Sequence, residues 1–295
     1  MANTFTVAGS DPNVGGVYPQ QWATKLQERL DKPTNWKEVA NVMYSDTKYF
    51  NMPYMSTESV IQTGTRGTAY GFSDFTIIND QMDIATPKIV PSFIDRADLA
   101  QCDLVKQSEL ADRQGLAINE WLEQAMLADH AAWTNFGDSG GGVPGLGSGA
   151  LTVTVSNIDD IIRAVKRVIR VANGQDLATR HGLFIIWRAT DFELLEGYVQ
   201  ANGFTEADKA LKDGTITGFR YMGVDHYVSN SHATGHLMAG VKKIYQIGIL
   251  KETYGQVVVT QDPGLMSGIG VITRLDYGLN TPTAHVGLVL DVNVA

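Results

Sequence analysis

The residues best suited to chemistry in this chain are a serine in a glycine-rich segment and a group of histidines. Ser139 lies in the string Gly-Asp-Ser-Gly-Gly at 137–141, which surrounds the nucleophile of chymotrypsin-like proteases, where backbone N–H groups form the oxyanion hole. The nearest histidine, His130, falls within a predicted long helix, and no Ala-Ala-His-Cys setting occurs. The favoured interpretation is a glycine-rich loop, and a serine hydrolase using Ser139 is a remote alternative.

The histidine group consists of His226, His232 and His236. The spacing of the last two would place two imidazoles on one face of a helix, as metal sites do. Their Ser, Asn and Gly neighbours are instead typical of a strand running into a loop, and only Asp225 offers a nearby carboxylate. Gly264, Gly268 and Gly270 do not follow the GxGxxG order, and no GxxxxGK[ST] occurs. We therefore predict no metal site, no cofactor and no catalytic residue.

Charged residues cluster in one predicted helix. Asp159 and Asp160 open it, where carboxylates favour the positive end of the helix dipole, so capping explains them better than acid–base catalysis. A basic stripe follows, formed by Arg163, Lys166, Arg167 and Arg170. A solvated helix face is the favoured interpretation of the stripe, while contact with a phosphate backbone or with carboxylates of a neighbouring subunit stays open.

The composition bounds the class of protein. The chain has 295 residues, 44% of them apolar and 19% charged, which is ordinary for a globular protein of one large domain or two modest ones. The net charge of −9 with scattered basic residues argues against a dedicated nucleic-acid reader. The single Cys102 excludes an intramolecular disulfide and fits a reducing cytoplasm. Neither a signal peptide nor a membrane-spanning run is predicted.

One long helix is the main predicted element. From Leu104 to Phe136 the sequence has no proline and a single glycine, and apolar residues recur at helical spacing. The residues predicted to pack against the core are Leu110, Ile118, Trp121, Leu122 and Ala125. Those predicted on the solvent-exposed face include Glu109, Asp112, Asn119, Glu120 and Glu123. A helix of some thirty residues would be roughly 45 Å long, which favours a protein that holds a shape.

Two segments before this helix are predicted to need a partner. Residues 1–18 have the composition of an arm that becomes ordered against another surface, and a short helix is expected before Pro33. Residues 57–94 are predicted to form a long hairpin with a flexible tip at Gly64, Gly67 and Gly71. Because a lone two-stranded hairpin is marginally stable, we expect it to lie on a neighbouring subunit.

After the helix, a glycine-rich connector at 137–149, including Gly140, Gly141 and Gly142, leads to a second unit. There Asn157 is predicted to cap an amphipathic helix that ends at Asn173-Gly174. Residues 182–188 are predicted as a buried strand, and Thr190-x-x-Glu193 as a capping box. Short strands separated by turns fill the rest, so the predicted class is α+β with mostly antiparallel or mixed sheets.

The order of these parts resembles the tailed-phage major capsid protein of the Hong Kong 97 type. The resemblance covers nearly the whole chain. It is carried most specifically by Ile-Asp-Arg-Ala-Asp-Leu-Ala-Gln at 94–101, by 113–129, and by Tyr-Val-Ser-Asn at 227–230 with the following Gly-His-Leu-Met-Ala-Gly at 235–240.

The resemblance implies a division of the chain and a structural function. Its expected parts are an N-terminal arm (1–55), an extended loop (56–93), a peripheral domain with the spine helix (94–149), a mostly axial domain (150–250) and a β-rich part completing both domains (251–295). The implied function is a non-enzymatic subunit of an icosahedral head enclosing double-stranded DNA. The implied partners are its own copies in hexamers and pentamers, portal and scaffolding proteins, a possible decoration protein, and weakly bound DNA. An encapsulin-like shell is the alternative.

Overall fold

The computed structural model describes residues 34–55, 63–64, 66–67, 76–84, 86–95, 107–136, 150–201, 218–253, 257–260 and 268–295. The α-helices are α1 (Trp36–Val39), α2 (Gln107–Ala128), α3 (Ile158–Val171), α4 (Gln175–His181) and α5 (Ala189–Ala201). The strands are β1 (Asn41–Ser45), β2 (Tyr49–Met55), β3 (Ile77–Asp83), β4 (Thr86–Asp95), β5 (Thr134–Phe136), β6 (Leu183–Trp187), β7 (Gly218–Tyr221), β8 (Val224–Val228), β9 (His236–Val241), β10 (Gln246–Leu250), β11 (Val257–Thr260), β12 (Gly268–Asn280) and β13 (Val289–Asn293). Short 3₁₀ helices span His130–Ala132 and Thr283–Leu288. The predicted α+β class is confirmed.

A six-stranded mixed sheet forms the larger unit, in the order β5-β13-β9-β6-β8-β7. Strand β6 lies at its centre, parallel to β8 and antiparallel to β9, and its last four residues are buried. Helix α3 turns a stripe of apolar residues onto this unit, and all of them are buried: Ile158, Ile161, Ile162, Val165 and Ile169. The predicted buried strand and amphipathic helix are therefore both present.

The second sheet has the order β1-β10-β12-β11, and β4 pairs with the other edge of β12. Helix α2 packs on this sheet. The ring of Trp121 meets Tyr277 of β12 edge-on at 4.6 Å between centroids, and the Lys88 ammonium of β4 lies 4.7 Å from the Trp121 ring centroid. This cation–π contact and the aromatic pair fix the rotation of the helix about its axis.

A buried glutamine ties the start of α2 to the same sheet. The side-chain amide of Gln114 donates to Ser92 Oγ at 2.9 Å and to the Val271 carbonyl at 3.0 Å. Its carbonyl oxygen accepts from Thr273 Oγ1 at 2.6 Å. One side chain thus satisfies polar groups on two adjacent strands, β4 and β12.

We expect Gln114→Ala to lower the free energy of unfolding by about 1–3 kcal/mol, since the Thr273 hydroxyl would be left buried without its acceptor. Chemical denaturation monitored by circular dichroism measures this change. Gly115→Ala is the matched control, because a Cβ there meets nothing within 4 Å, and alanine is favoured over glycine in a helix. A destabilisation of equal size in both variants would contradict the role assigned to Gln114.

The prediction that the long helix continues to Phe136 is wrong, because α2 ends at Ala128. The next residues form a 3₁₀ turn, and β5 then pairs in parallel with β13. Tertiary pairing decides this end, since Trp133 becomes buried and Thr134 and Asn135 are weak helix formers. The 22 residues of α2 make a helix of about 33 Å, not 45 Å.

Two predicted helix caps are also wrong. Asn157 precedes α3, but its side chain accepts from Thr154 N and donates to the Thr152 carbonyl, both at 2.8 Å, so it shapes the preceding turn. Thr190 lies inside α5, which begins at Ala189, and Asp191 instead binds Arg188. The predicted stop of α3 is confirmed, because Asn173 has φ 57° and Gly174 N bonds the Ile169 carbonyl in a Schellman motif.

Candidate functional site

A two-stranded antiparallel hairpin, β2–β3, projects from the second sheet and forms a sheet of its own. Its register joins Tyr49 to Asp83 at the base and Met55 to Ile77 at the far end. The hairpin predicted for residues 57–94 is therefore displaced along the chain. Strand β4 pairs instead with β12 over all ten of its residues, because a strand in a larger sheet that packs against a helix is more stable than one in a lone two-stranded hairpin.

The base of the hairpin rests in a shallow groove made by two glycines that face each other across β10 and β12. Gly248 and Gly278 are register partners, and their missing side chains leave room for Met82 and Ile84, which are both buried. A Cβ on Gly248 would come within 2.5 Å of Met82 Cε, and one on Gly278 would overlap the Asp83 carbonyl oxygen. Glycine is required here for close approach of the hairpin.

Two polar contacts complete this anchorage. The Ile84 N–H donates to the Lys48 carbonyl at 2.7 Å, which closes the base of the hairpin. The Thr283 N–H donates to Asp80 Oδ2 at 2.9 Å and attaches β3 to the start of the 3₁₀ turn before β13. The hairpin therefore leaves the body of the protein in a defined direction.

The far end of the hairpin exposes apolar side chains. Met55 and Ile77, which are register partners, are 60% and 61% exposed, and Ile78 is 40% exposed. Their neighbours along the same face, Asn51 and Gln81, are exposed and polar. Paired apolar residues standing away from any core are the feature expected of a surface that becomes covered by another molecule.

A buried carboxylate holds the root of the N-terminal segment. Glu123 of α2 was predicted on the solvent-exposed face of the helix. This prediction is wrong, because the Glu123 side chain is fully buried. Glu123 Oε2 accepts from the Asn35 backbone N–H at 3.0 Å, and Asn35 Nδ2 donates to the Val228 carbonyl at 2.9 Å. Burial raises the pKa of Glu123, while hydrogen bonds from Asn35, Ser229 and Trp36 act against that rise.

The residues chosen as flexible points and packing positions fall in several places. Gly67 has φ +85°, a conformation that favours glycine. Gly64 is also among the described residues. Gly71, Gly140, Gly141 and Gly142 lie outside the described residues, as does Ser139.

Among the packing positions predicted for α2, Ile118 and Leu122 are buried and Trp121 and Ala125 are half-buried. Leu110 belongs to α2, but its side chain is outside the described part.

The three predicted histidines do not come together. The His226 ring accepts from Trp187 Nε1 at 2.9 Å in the core of the six-stranded sheet, and burial lowers the pKa of His226 to about 4. Burial, with Arg188 nearby, lowers the pKa of His232 to about 4 as well. His236 binds Asp291 instead, with Nδ1 2.9 Å from Oδ2. His226 and His232 are therefore neutral, packed histidines.

Two residues of the basic stripe on α3, Arg163 and Lys166, are engaged within the subunit. Arg163 forms ion pairs with Asp159 at 2.7 Å and Asp160 at 2.5 Å. Lys166 Nζ donates to the Met222 carbonyl at 2.6 Å, and burial together with Arg170 lowers the pKa of Lys166. The carboxylates that open the helix thus neutralise its first basic residue, which favours a structural role for both groups.

Comparison with solved structures identifies the fold. A structure from Mycobacterium phage Che8 matches with a TM-score of 0.72 over 94% of this chain and 97% of that chain, at 15% identity. The capsid of cyanophage P-SCSP1u matches with a TM-score of 0.64 over 99% of both chains, at 16% identity. The capsid of a native GTA particle matches with a TM-score of 0.68 over 96% of this chain and 97% of that chain, at 11% identity.

No protein-family model and no curated protein matches the sequence. The structural matches, which span nearly the whole of each chain, show that the protein has the Hong Kong 97-like capsid fold. Within the described residues, none of the helices combines the length and apolarity that a membrane span requires.

Proposed function

We propose that this chain is a structural, non-enzymatic major capsid protein that assembles into an icosahedral head around double-stranded DNA. The observation that carries the proposal is the β2–β3 hairpin, which is anchored rigidly at Gly248 and Gly278 and exposes Met55 and Ile77 at its far end. A fold shared with capsid structures over nearly the full length of both chains supports the same function.

The division of the chain follows from this proposal. Residues 1–55 form the N-terminal arm and the first hairpin strand, 94–149 the peripheral domain with its spine, 150–250 most of the axial domain, and 251–295 strands of both domains. The pairing of β2 with β3 supports an extended loop from Tyr49 to Asp83 in place of 56–93. Glu123 then sets the direction in which the arm leaves the body.

The partners are first of all copies of this chain, arranged as hexamers and pentamers of a closed shell. Portal and scaffolding proteins, and a decoration protein where one is used, complete the head, which forms in the host cytoplasm and persists as the virion capsid. The net charge of −9 limits contact with packaged DNA to weak, non-specific interactions. Purified native particles that hold protein cargo and no DNA would contradict this assignment of contents.

The hairpin patch can be tested directly. We expect the double variant Met55→Glu/Ile77→Glu to fold normally, because both side chains are more than half exposed, and to lose assembly, because two carboxylates would be buried on a neighbour. Each 1.4 kcal/mol lost per contact weakens association about tenfold. Sedimentation velocity and negative-stain electron microscopy measure assembly, and circular dichroism measures folding.

The matched control is Asn51→Glu/Gln81→Glu, which adds the same two charges to the same face of the hairpin, four register positions closer to its base. It should assemble far better than the Met55/Ile77 variant. Full assembly of the Met55/Ile77 variant would show that the patch is not an interface.

A further inference from the structure

Three potential metal ligands meet where the end of helix α2 reaches the six-stranded sheet. His130 comes from the 3₁₀ turn that follows α2, His236 is the first residue of β9, and Asp291 lies on β13. A ligand atom from each of them lies within 4.8 Å of those of the other two. Within the described residues, this is the one such group of three. His236 and Asp291 lie about 100 and 160 positions after His130 in the sequence.

The antiparallel pairing of β9 and β13 creates the cluster. That pairing joins His236 to Asn293 and Asp291 to Met238, which brings the two side chains into contact. His236 Nδ1 lies 3.0 Å from Oδ1 and 2.9 Å from Oδ2 of Asp291. The Asp291 side chain is buried, while His130 and His236 are partly exposed, so an ion can reach the site from solvent.

The charges in this cluster favour a bound cation. The His130 and His236 rings stack face to face with their centroids 3.6 Å apart and a 10° angle between their planes. A buried carboxylate needs a cationic partner, which a metal ion can supply.

We propose that His130, His236 and Asp291 form a binding site for a divalent transition-metal ion of the zinc class. Two imidazoles and one carboxylate suit Zn²⁺ and disfavour Mg²⁺ and Ca²⁺, which take oxygen ligands. Three protein ligands leave a fourth position to water. A nitrogen and an oxygen 2.9 Å apart can both contact one ion at about 2.0–2.2 Å.

Binding changes the cluster in two defined ways. The ion replaces the hydrogen bond between His236 Nδ1 and Asp291, and His236 then binds it as a neutral ring that carries its proton on Nε2. The lone pairs of the two stacked rings lie in nearly parallel planes, so the His130 ring must rotate out of the stack to reach the same ion. Its partly exposed position on a short turn allows this rotation.

We expect the bound ion to link the C-terminal end of α2 to the six-stranded sheet. An ion bound to the folded state and not to the unfolded chain stabilises folding as its concentration rises above Kd. The site lies within one subunit, so it is independent of whether the chain assembles. Metal binding and assembly can therefore fail or succeed separately.

The experiment uses the full chain without a polyhistidine tag, stripped with a chelator and then titrated with Zn²⁺ by calorimetry. Co²⁺ provides a second reading through its visible ligand-field absorption. Wild-type protein should bind one ion per chain and show a Tm that rises with Zn²⁺. His130→Ala should weaken binding by more than the roughly 10–100-fold that loss of an outer-shell partner causes.

His181→Ala is the matched control, because it removes an exposed histidine at the end of α4, and it should bind Zn²⁺ like the wild type. Asp291→Asn tests the carboxylate ligand. If this substitution of a buried residue prevents folding, the comparison of His130→Ala with the wild type still tests the metal site. Absence of binding by the wild type, or equal binding by the wild type and His130→Ala, would overturn the proposal.

Discussion

Replacing Gly278 with alanine is expected to abolish normal shell assembly while leaving most of the subunit folded. A Cβ at this position would overlap the carbonyl oxygen of Asp83, a backbone atom that cannot move without shifting β3. Overpacking of this kind costs about 1–3 kcal/mol, and here the strain is relieved most easily by lifting the hairpin out of its groove. Electron microscopy of particle yield and circular dichroism of the subunit measure the two parts of this prediction.

Two glycine substitutions calibrate the result. Gly248→Ala should have a smaller effect, because its nearest clash is with Met82 Cε, the end of a flexible side chain. Gly197→Ala in α5 should be harmless, because its Cβ meets nothing within 4 Å. Normal particles from Gly278→Ala would show that packing of the hairpin base in the groove at Gly248 and Gly278 does not control assembly.

Replacing Glu123 with alanine is expected to detach the N-terminal segment from the spine. The Asn35 N–H would lose its acceptor in a buried position, and an unsatisfied buried donor costs about 1–3 kcal/mol. Chemical denaturation measures the loss, and limited proteolysis near residue 35 measures the release of the segment. Gln124→Ala is the control, since Gln124 is the exposed neighbour of Glu123 in the same helix.

The same variant should change the dependence of stability on pH. Burial raises the pKa of Glu123 above its ordinary value of 4.5. A carboxyl group with a raised pKa in the folded state contributes stability that is complete below its unfolded pKa and is lost as pH rises through the folded pKa. The stability difference between wild type and Glu123→Ala should therefore be largest below pH 4.5 and shrink as pH rises through the raised pKa. A constant difference would contradict this role of Glu123.

The elements that sequence reasoning located correctly are those specified by nearby residues. Helix α3 has five isoleucines and valines on one stripe, and its end is set by Asn173 and Gly174, so its signal is contained within about seventeen residues. Strand β6 is likewise a short apolar run bounded by a glycine and an arginine. Local pattern suffices where the same residues supply both the propensity and the buried face.

The errors arose where a distant partner decides the structure. The C-terminal end of α2 depends on the pairing of β5 with β13, more than 150 residues away. The first hairpin strand carries Pro53 and ends in exposed Met55, so it lacks an obvious strand pattern, and its position is decided by pairing with Ile77–Asp83. No local periodicity contains that information.

Two of the buried carboxylates, Glu123 and Asp291, left a signal that sequence reasoning missed. Asp291 interrupts the apolar run Val-Leu-Asp-Val at 289–292, and Glu123 follows Leu122 and precedes the buried pair Met126 and Leu127. A carboxylate within such a run is costly to bury unless a partner reaches it. Their partners, His236 and Asn35, lie 55 and 88 positions away, so only the fold reveals them.

The central claim is that this chain builds a closed shell, and negative-stain electron microscopy combined with sedimentation velocity on the purified protein tests it most directly. We expect uniform closed particles, or capsomers of five and six copies, over a range of concentrations and salt. A stable monomer under all of these conditions would contradict it, because the exposed Met55–Ile77 end of the hairpin would then have no neighbour to cover it.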